Sequence, residues 1–509
     1  MDRRTFLQRA ALAAAFVRAA GAQEPDLDEI GIADLQQAMN SGQITAVVLV
    51  DRYLGRIDAM DRGGPALHSV IEWNPDASAI ADALDRERTL KGPRGPMHGI
   101  PVLIKDNIDT ADRMHTTAGS LALAAAPTPS DAALVERLRA AGAVILGKTN
   151  LSEWANFRST HSTSGWSGRG GLTLNPYALD RNPSGSSSGS GVAVSANLCT
   201  VAVGTETDGS VVSPSSINGI VGIKPTRGLI GGRGIIPISH NQDTAGPMAR
   251  TVRDAAILLG AMAEKPHAQA DYTKFLDAKG LEGARLLYAQ HGFNVIPQVE
   301  RLIDDCVAEM EKLGASVART DTLPNFGKYD DSEGTVLRYD FKSDLDAYLE
   351  ARGGGLTLAG LIDFNDKHRA QEMPYFEQEI FIQAQQKGPL TDTAYKLALE
   401  KDQKLSRAAG IDAALKESKA TAIVAATSGP AWLTDLVNGD RDTGGCSTPA
   451  AVAGYPHITV PAGFVDGLPI GISFIGMPWT EGALLRMAYA FEQATKARRK
   501  PLFPATCKV

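Results

Sequence analysis

The chain has 509 residues, of which 43% are hydrophobic, and a formal net charge of −7. This length and apolar content suffice for a large buried core, and one α/β enzyme domain can reach this size. The acidic balance gives no general electrostatic reason to bind nucleic acid or an anionic membrane, and the sequence has no zinc-type cysteine pair, P-loop or dinucleotide fingerprint.

The first 22 residues are typical of an export signal. Arg3 and Arg4 precede a run of eight apolar residues, and an Ala-x-Ala sequence ends at Ala22. The run is too short to cross a bilayer, which takes about 20 residues. Because Thr-Phe-Leu follows the paired arginines, they resemble a twin-arginine signal, and we expect residues 1–22 to direct export to the periplasm or the medium. An ordinary amphipathic helix is the alternative, and no membrane span is expected in the mature chain.

The next part of the chain alternates helical and strand-like patterns. Helices are predicted over residues 51–60, 77–90 and 131–141, and strands over 101–104 and 143–146. Ser130 is the predicted N-cap of the third helix. The first strand is a continuous apolar run that ends at Lys105, which is typical of a buried strand that carries one polar side chain to its end. This alternation predicts an α/β domain around a largely buried sheet.

Two glycine-rich turns flank the following helix and strand, which are predicted over residues 189–197 and 200–204. The first turn contains Ser186, within a run of serine and glycine only, and the second ends at Ser210. A helix of this length advances about 13 Å and the strand returns about 16 Å. We therefore expect Ser210 to lie beside Ser186.

The second half of the chain is less regular. Thr251 is the predicted N-cap of a helix that ends at Ala263, with Asp254 as its capping-box partner. Residues from about 265 to 419 are more charged and more helical, and we interpret them as an embellishment that shapes a substrate cleft. A β-rich segment over residues 446–474 and an amphipathic helix over 481–494 complete the chain. The cysteines are few, so no disulfide framework is needed, although one bond stays open in an oxidising compartment, and Cys199 is expected in the core.

One lysine and two serines are the candidate catalytic groups. Ser210 follows small residues whose backbone N–H groups can turn towards an oxyanion, as a nucleophile requires. A lysine base that works near neutrality needs a pKa about three units below the usual value near 10.4, and burial beside serine hydroxyls can lower it. Lys105 meets this description, because Asp106 would point to the opposite face of its strand. Ser186 would relay the proton between them.

Each of these residues also has a plainer interpretation. Ser210 fits a structural turn, Lys105 fits a strand-end lysine that reaches solvent, and the Ser186 segment fits a flexible linker. A linker, however, rarely stands directly before an apolar helix. Lys148 and Lys224 are rival bases in turn-like surroundings, and spacing alone excludes neither.

A Gly-x-Ser-x-Gly pattern also occurs, at Gly185, Ser187 and Gly189. The nucleophile elbow of an α/β-hydrolase needs an apolar strand immediately before it, and residues 179–183 cannot form one. We therefore reject that interpretation. No histidine is an obvious triad partner, and His98 is expected to be a structural hydrogen-bonding residue.

These motifs resemble those of the amidase-signature hydrolases. The resemblance runs from about residue 28 to 503, and its strongest parts are residues 98–110, 146–159, 175–228 and 448–476. It implies that residues 23–509 form one large α/β/α domain, with a central mixed sheet flanked by helices, and that the enzyme needs neither a cofactor nor a metal. Within the family, the bacterial peptide amidases, which release ammonia from a C-terminal peptide amide, are the most similar group.

The resemblance also implies roles for individual residues. The family's Lys-Ser-Ser triad falls on Lys105, Ser186 and Ser210, and the family holds the middle serine by a non-proline cis peptide. Its oxyanion loop falls on Thr207, Asp208 and Gly209. The implied partner is a small-molecule or short-peptide amide, with no nucleic acid, and the oligomeric state stays open.

One departure from the family pattern bears on specificity. Many relatives have arginine two residues after the nucleophile, where this chain has Val212. Arginine could pair bidentately with a substrate carboxylate, whereas valine favours a neutral acyl side. We therefore expect neutral, amide-capped substrates to be preferred over those with a free carboxylate beside the scissile bond.

Three other functions stay open at this point. A broad aliphatic or aryl amidase, or an esterase, is hardly separated from a peptide amidase by sequence. A glutamine-dependent transamidation subunit would need a partner chain and tRNA, and the export signal and acidic charge count against it. An inactive amide-binding protein is disfavoured by the intact Lys-Ser-Ser set.

Overall fold

The computed structural model describes residues 25–264, 266 and 271–507. The predicted export signal at residues 1–22 lies outside them. Within these ranges we find no helix with the length and apolar content that crossing a bilayer would require.

A mixed sheet of eleven strands lies at the centre of the fold, and a separate two-stranded hairpin lies outside it. The strands are β1 Val70–Trp73, β2 Pro101–Lys105, β3 Val144–Thr149, β4 Trp166–Ser167, β5 Gly171–Leu172, β6 Val201–Glu206, β7 Val221–Lys224, β8 Thr244–Ala249, β9 Arg285–Ala289, β10 Ser316–Thr320, β11 Ala422–Ala426, β12 His457–Val465 and β13 Leu468–Ile475.

The strand order across the central sheet is β1-β3-β2-β6-β8-β7-β12-β13-β11-β9-β10. Strand β2 runs parallel to both of its neighbours, and β9 does the same on the other side of the sheet. The remaining neighbours are antiparallel. Strands β2, β3, β6 and β8 are buried along their whole length, so both faces of this part of the sheet are covered.

Helices provide that cover. The α-helices of the described residues are α1 Ile32–Asn40, α2 Ala46–Arg56, α3 Ala77–Lys91, α4 Ala133–Ala140, α5 Ser188–Ser195, α6 Val212–Ile217, α7 Val252–Met262, α8 Pro297–Lys312, α9 Asp330–Arg352, α10 Leu358–Lys367, α11 Arg369–Glu372, α12 Glu379–Gln385, α13 Thr393–Gln403, α14 Asp412–Ser418, α15 Ser447–Ala453 and α16 Glu481–Thr495. Two π-helical segments, Ile57–Arg62 and Lys404–Ile411, continue α2 and α13. The predicted α/β class with a mixed central sheet is confirmed.

The helix predicted over residues 131–141 is present, but its predicted N-cap is wrong. Helix α4 begins at Ala133 with Ala132 as its N-cap, and Ser130 does not cap it. The Asp131 carboxylate instead accepts hydrogen bonds from the Ala111 amide (2.7 Å) and from Arg139 Nε (2.9 Å). A tertiary contact therefore delays the start of the helix by two residues.

The capping box predicted at Thr251 is half formed. Thr251 Oγ1 accepts a hydrogen bond from the Asp254 amide at 3.1 Å, which caps α7. The Asp254 carboxylate does not complete the box, because it accepts from the Ile32 amide (3.1 Å) at the start of α1. This acid therefore joins two distant helices.

The region from about residue 265 to 419 is more than a helical cover. Its two strands, β9 and β10, extend one edge of the central sheet. Its longest helix, α9, contributes Phe341 and Leu345 to a hydrophobic cluster that also contains Trp154 and Ile238 of the main body. The region thereby contributes a wall next to the candidate site.

The four cysteines are buried and unbridged within the described part of the chain. Burial raises the pKa of Cys199 to about 12, in keeping with its expected place in the core. The His98 ring is also structural: Nδ1 accepts from the Arg94 amide (3.3 Å), and Nε2 lies 3.0 Å from the Leu84 carbonyl oxygen.

Candidate active site

Strand β2 places the Lys105 side chain inside the protein. The strand lies between β3 and β6, and Lys105 has no exposed surface. Its Nζ lies 2.7 Å from Ser186 Oγ, 2.9 Å from Thr205 Oγ1 and 3.2 Å from the Thr205 carbonyl oxygen. Thr205 Oγ1 also accepts a hydrogen bond from Asn107 Nδ2 at 2.9 Å. The amine is therefore held by three oxygens.

Burial determines the acidity of this amine. Desolvation lowers the pKa of Lys105 to about 7, against the opposing attraction of Asp243 and Glu206. Asp106, the next residue, points away from Nζ and accepts hydrogen bonds from Thr117 Oγ1 and the Gly119 amide. At neutral pH a large fraction of Lys105 is therefore unprotonated and able to accept a proton.

The turn before α5 presents Ser186 to Lys105. The peptide bond between Gly185 and Ser186 is cis, as the family resemblance implies. A Cβ on Gly185 would lie 2.1 Å from Ser152 Oγ, so no larger residue fits there without a shift. The Ser152 amide in turn donates to the Ser186 carbonyl oxygen at 3.1 Å. The side chain and the backbone amide of Ser152 thus both constrain the turn.

Ser210 lies beside this turn, as the helix and strand lengths predict. The Ser187 amide donates to the Ser210 carbonyl oxygen at 3.2 Å. Ser210 is 9% exposed, whereas Lys105 has no exposed surface. Among the described residues no hydrogen bond joins the Ser210 and Ser186 hydroxyls.

The loop Thr207–Ser210 offers backbone donors. Within the described chain, no protein acceptor is hydrogen-bonded to the amides of these four residues. Gly209 has a φ of +78°, a left-handed conformation that favours glycine, and a Cβ there would lie 3.0 Å from Ser447 Oγ. Free N–H groups next to a serine hydroxyl are the arrangement that stabilises an oxyanion.

Two acids, one buried and one half-buried, hold this loop in place. The Glu206 carboxylate accepts hydrogen bonds from the Val211 (2.8 Å) and Val212 (3.0 Å) amides and so fixes the start of α6. Asp243 Oδ1 accepts from Thr207 Oγ1 at 2.6 Å. Its other oxygen, Oδ2, accepts from the amides of residues 238 and 239 at 2.7 and 3.0 Å.

The rival bases lie elsewhere. Lys148 and Lys224 stand in strands β3 and β7, not in turns, and both are fully buried. Lys148 Nζ donates to the Ile108 carbonyl oxygen (2.5 Å) and to Thr116 Oγ1 (2.8 Å), and Lys224 Nζ donates to the Pro225 carbonyl oxygen at 3.3 Å. Neither amine has a hydrogen bond to a candidate serine.

Two cavities border the oxyanion loop. The larger, about 500 Å³, has Thr205 and Thr207 in its wall and is mostly apolar in surface, with four isoleucines. Five charged or titratable side chains also line it: Arg227, Arg233, His240, Asp243 and Asp344. The smaller, about 310 Å³, borders Gly185, Gly209 and Asp208. Its described lining includes three acidic residues, Asp208, Asp440 and Asp442, and no lysine, arginine or histidine. Burial raises the pKa of Asp208 and of Asp440 above the usual range for aspartate.

The position of Val212 corrects one step of the specificity prediction. Val212 is fully buried in α6 and does not line the smaller cavity, so it cannot form an apolar surface there. The acidic residues of that cavity, and not Val212, are the groups that a molecule bound there would contact.

Several residues of the site escape sequence reasoning. Thr205, Asn107 and Asp243 surround Lys105 or support the oxyanion loop, but none belongs to a recognisable catalytic pattern. Only the position of Thr205 in the sequence could have suggested a role, because it lies in the same short segment as Ser210.

Comparison with known proteins gives consistent matches over nearly the whole chain. The family described as Amidase matches residues 48–485. The crystal structure of native peptide amidase from Stenotrophomonas maltophilia is 49% identical, with a TM-score of 0.89, over 94% of this chain and 99% of that one. A probable amidase of Arabidopsis thaliana is 42% identical, over 94% of this chain and 92% of its own length. A glutamyl-tRNA(Gln) amidotransferase subunit of Symbiobacterium thermophilum is 32% identical, over 92% of this chain and 97% of its own length.

The pKa of Lys105 predicts how kcat/KM depends on pH. If the neutral amine is the base, kcat/KM for an amide rises with pH and levels off above an apparent pKa of about 7. Below that pH the amine is protonated and cannot accept the proton. Initial rates between pH 5 and 9 check this, and a rate that stays flat or falls as the pH rises through this region would contradict it.

Substitutions at Asp243 and Thr207 separate the effect of the Asp243 charge from that of the hydrogen bond between the two residues. Asp243→Asn removes a negative charge that favours protonated Lys105, while its amide can still bond to Thr207 and to the two backbone amides. We expect its apparent pKa in kcat/KM to fall below that of the wild type. Thr207→Val removes the hydroxyl bond but keeps the Asp243 carboxyl group, so kcat should fall while the apparent pKa changes less than in Asp243→Asn. Equal pH profiles for Asp243→Asn and the wild type would remove Asp243 from this role.

Proposed function

The chain belongs to the amidase signature family, and from this premise we propose that it releases ammonia from the C-terminal carboxamide of short peptides. Membership makes it an amidase-type hydrolase of linear amides. The observation that carries the proposed chemistry is the three-oxygen environment of the buried Lys105 amine. The choice of peptide amides is supported by the likeness to peptide amidase, at 49% identity over nearly the full length of both chains.

The three contacts of Lys105 Nζ suit an ammonium group and also a neutral amine. Its two N–H groups would donate to the carbonyl and hydroxyl oxygens of Thr205, at 3.2 and 2.9 Å. The nitrogen lone pair would then accept the Ser186 O–H at 2.7 Å. Ser186 is thereby polarised and able to take a proton from Ser210.

In the proposed reaction, Ser210 Oγ attacks the amide carbonyl carbon as its proton passes through Ser186 to Lys105. The carbonyl oxygen becomes an oxyanion next to the free amides of Thr207–Ser210. The tetrahedral intermediate collapses when the same path returns the proton to the leaving nitrogen, and ammonia departs. Water then attacks the acyl-enzyme ester by the reverse route and frees the acid. Catalytic hydrogen bonds often close only with substrate present, which fits the open Ser186–Ser210 pair.

The smaller cavity supports a neutral acyl side. A free carboxylate beside the scissile bond would face Asp208, Asp440 and Asp442 without a basic side chain in the described lining. Like-charge contacts of this kind cost several kcal/mol at interfaces. A carboxamide carries no charge and avoids this repulsion.

A second candidate function is a broad amidase for aliphatic or aryl amides, with ester cleavage included. The larger cavity favours this function, because its mostly apolar surface encloses about 500 Å³ next to the oxyanion loop and can hold an apolar group of the substrate. Transamidation has weaker support, since the amidotransferase subunit is 32% identical and peptide amidase 49%.

We also propose that the enzyme acts outside the cytoplasm. The support is the twin-arginine pattern of residues 1–22 alone. Fractionation of cells that express the full chain would test this proposal. The wild type is compared with a double variant that carries Arg3→Lys and Arg4→Lys. Loss of the protein from the periplasm in the double variant supports export.

Removal of either end of the relay should abolish activity. We expect Lys105→Ala and Ser210→Ala each to lower kcat by roughly three orders of magnitude or more, because members of such a relay act as a unit. Circular dichroism and thermal unfolding should stay close to those of the wild type. Turnover at the wild-type rate by either variant would exclude that residue from the mechanism.

Substrate preference tests the peptide-amide assignment. Ammonia release is measured from amidated dipeptides, simple aliphatic amides and dicarboxylic half-amides, and acid release from matched esters. We expect amidated dipeptides to exceed the half-amides at least tenfold in kcat/KM, because a carboxylate meets the acidic cavity. Asp442→Asn, which changes an exposed member of that cavity, should narrow the gap. Half-amides that match the dipeptide amides would contradict the assignment, and equal rates on all amides and esters would favour the broad hydrolase.

A further inference from the structure

Three metal-ligating side chains meet at the rim of the larger cavity. Asp340 and Asp344 are one turn apart on α9, so their side chains share a face of the helix. His240 comes from the loop that precedes β8. Its Nδ1 lies 2.9 Å from Asp344 Oδ2 and 3.7 Å from Asp340 Oδ1. One ligand atom from each residue lies within 4.8 Å of the other two, and the described chain holds no other such group of three.

One oxygen of the buried Asp340 carboxylate could bind a metal ion. The residue has no exposed surface, and its Oδ2 accepts hydrogen bonds from Ser239 Oγ (2.6 Å) and Asn241 Nδ2 (2.8 Å). Its Oδ1 is buried and accepts no hydrogen bond from the described part of the chain, and it lies 3.7 Å from His240 Nδ1. A buried carboxylate oxygen without a hydrogen bond is costly. The two bonds to Oδ2 fix the orientation of the group, as outer-shell partners of metal ligands do.

The distances suit a shared ion. Zinc binds imidazole nitrogen at about 2.0–2.1 Å and carboxylate oxygen at about 2.0–2.2 Å, which places neighbouring ligand atoms roughly 3.0–3.5 Å apart. The separations of 2.9 and 3.7 Å from His240 Nδ1 approach this range and need shifts of a few tenths of an ångström. An imidazole among the ligands favours a transition-metal ion over Mg²⁺ or Ca²⁺, which prefer oxygen ligands alone.

We propose that His240, Asp340 and Asp344 bind one divalent transition-metal ion of the Zn²⁺ class, with water at the remaining positions. The ion replaces the proton that otherwise lies between the imidazole and Asp344. Ions can reach the group from solvent, because the His240 side chain is 49% exposed. The site is separate from the Lys105 relay, which needs no metal.

The ion would fasten helix α9 to the loop that supports the oxyanion turn. In that loop, Gln242 Nε2 donates to the Thr207 carbonyl oxygen (3.3 Å) and to Glu333 Oε1 of α9 (2.8 Å). Asp243, one residue further, holds the Thr207 hydroxyl. A ligand that binds only the folded state stabilises it, so the expected role of the ion is structural.

The test uses the full chain after treatment with EDTA and dialysis. Isothermal titration with ZnCl₂ should show about one ion per wild-type chain, together with a higher unfolding temperature. His240→Gln and Asp344→Asn should each weaken binding at least tenfold and remove the thermal shift. Both side chains are partly exposed, so both variants should fold, and circular dichroism of the metal-free proteins checks this.

His291→Gln is the matched control. His291 Nδ1 lies 3.1 Å from Glu300 Oε1, which is an exposed histidine–carboxylate pair outside the three-ligand group. This variant should bind Zn²⁺ as the wild type does. The proposal would be overturned if His240→Gln bound Zn²⁺ as tightly as the wild type, or if the wild type did not bind up to about 1 mM Zn²⁺. His240 and Asp344 would then form an ion pair without a metal.

Discussion

The burial of one amine is the constraint on which the rest of the site depends. A lysine in water is protonated at neutral pH and cannot act as a base, and desolvation lowers the pKa of Lys105 to about 7. The cost of this burial is limited because Ser186 and Thr205 surround the nitrogen with oxygen atoms. Two nearby acids, Asp243 and Glu206, oppose the shift but hold the oxyanion loop. The same two acids therefore raise the pKa of the base and hold the oxyanion donors in position.

Much of this arrangement could be predicted from the sequence. An apolar run that ends at Lys105 indicates a buried strand, and the short helix and strand between Ser186 and Ser210 require the chain to return to its starting point. The structure has both features, with the Ser187 amide bonded to the Ser210 carbonyl oxygen. These predictions succeeded because they rest on local apolar patterning and on element lengths, which the chain carries within short windows.

Other features depend on contacts between distant parts of the chain. Thr205 binds Lys105 across 100 residues, and Asp243 reaches Thr207 through a loop with no catalytic signature. Asp131 bonds to Ala111 and Arg139, so α4 begins two residues later than Ser130 predicts. Strands β9 and β10 join the sheet edge although their surroundings are mainly helical in pattern. In each case a tertiary partner outweighs the local preference, and no single window of sequence contains that partner.

The central claim is that Ser210 forms a covalent acyl-enzyme through a lysine relay, and intact-protein mass spectrometry tests it most directly. The enzyme is mixed with a slowly released amide or ester substrate, quenched in acid within the first turnovers, and digested to locate the adduct. We expect the mass of the acyl group on the peptide that contains Ser210, and no adduct in Ser210→Ala. An acyl group on another residue, or its full retention in Ser210→Ala, would contradict the account.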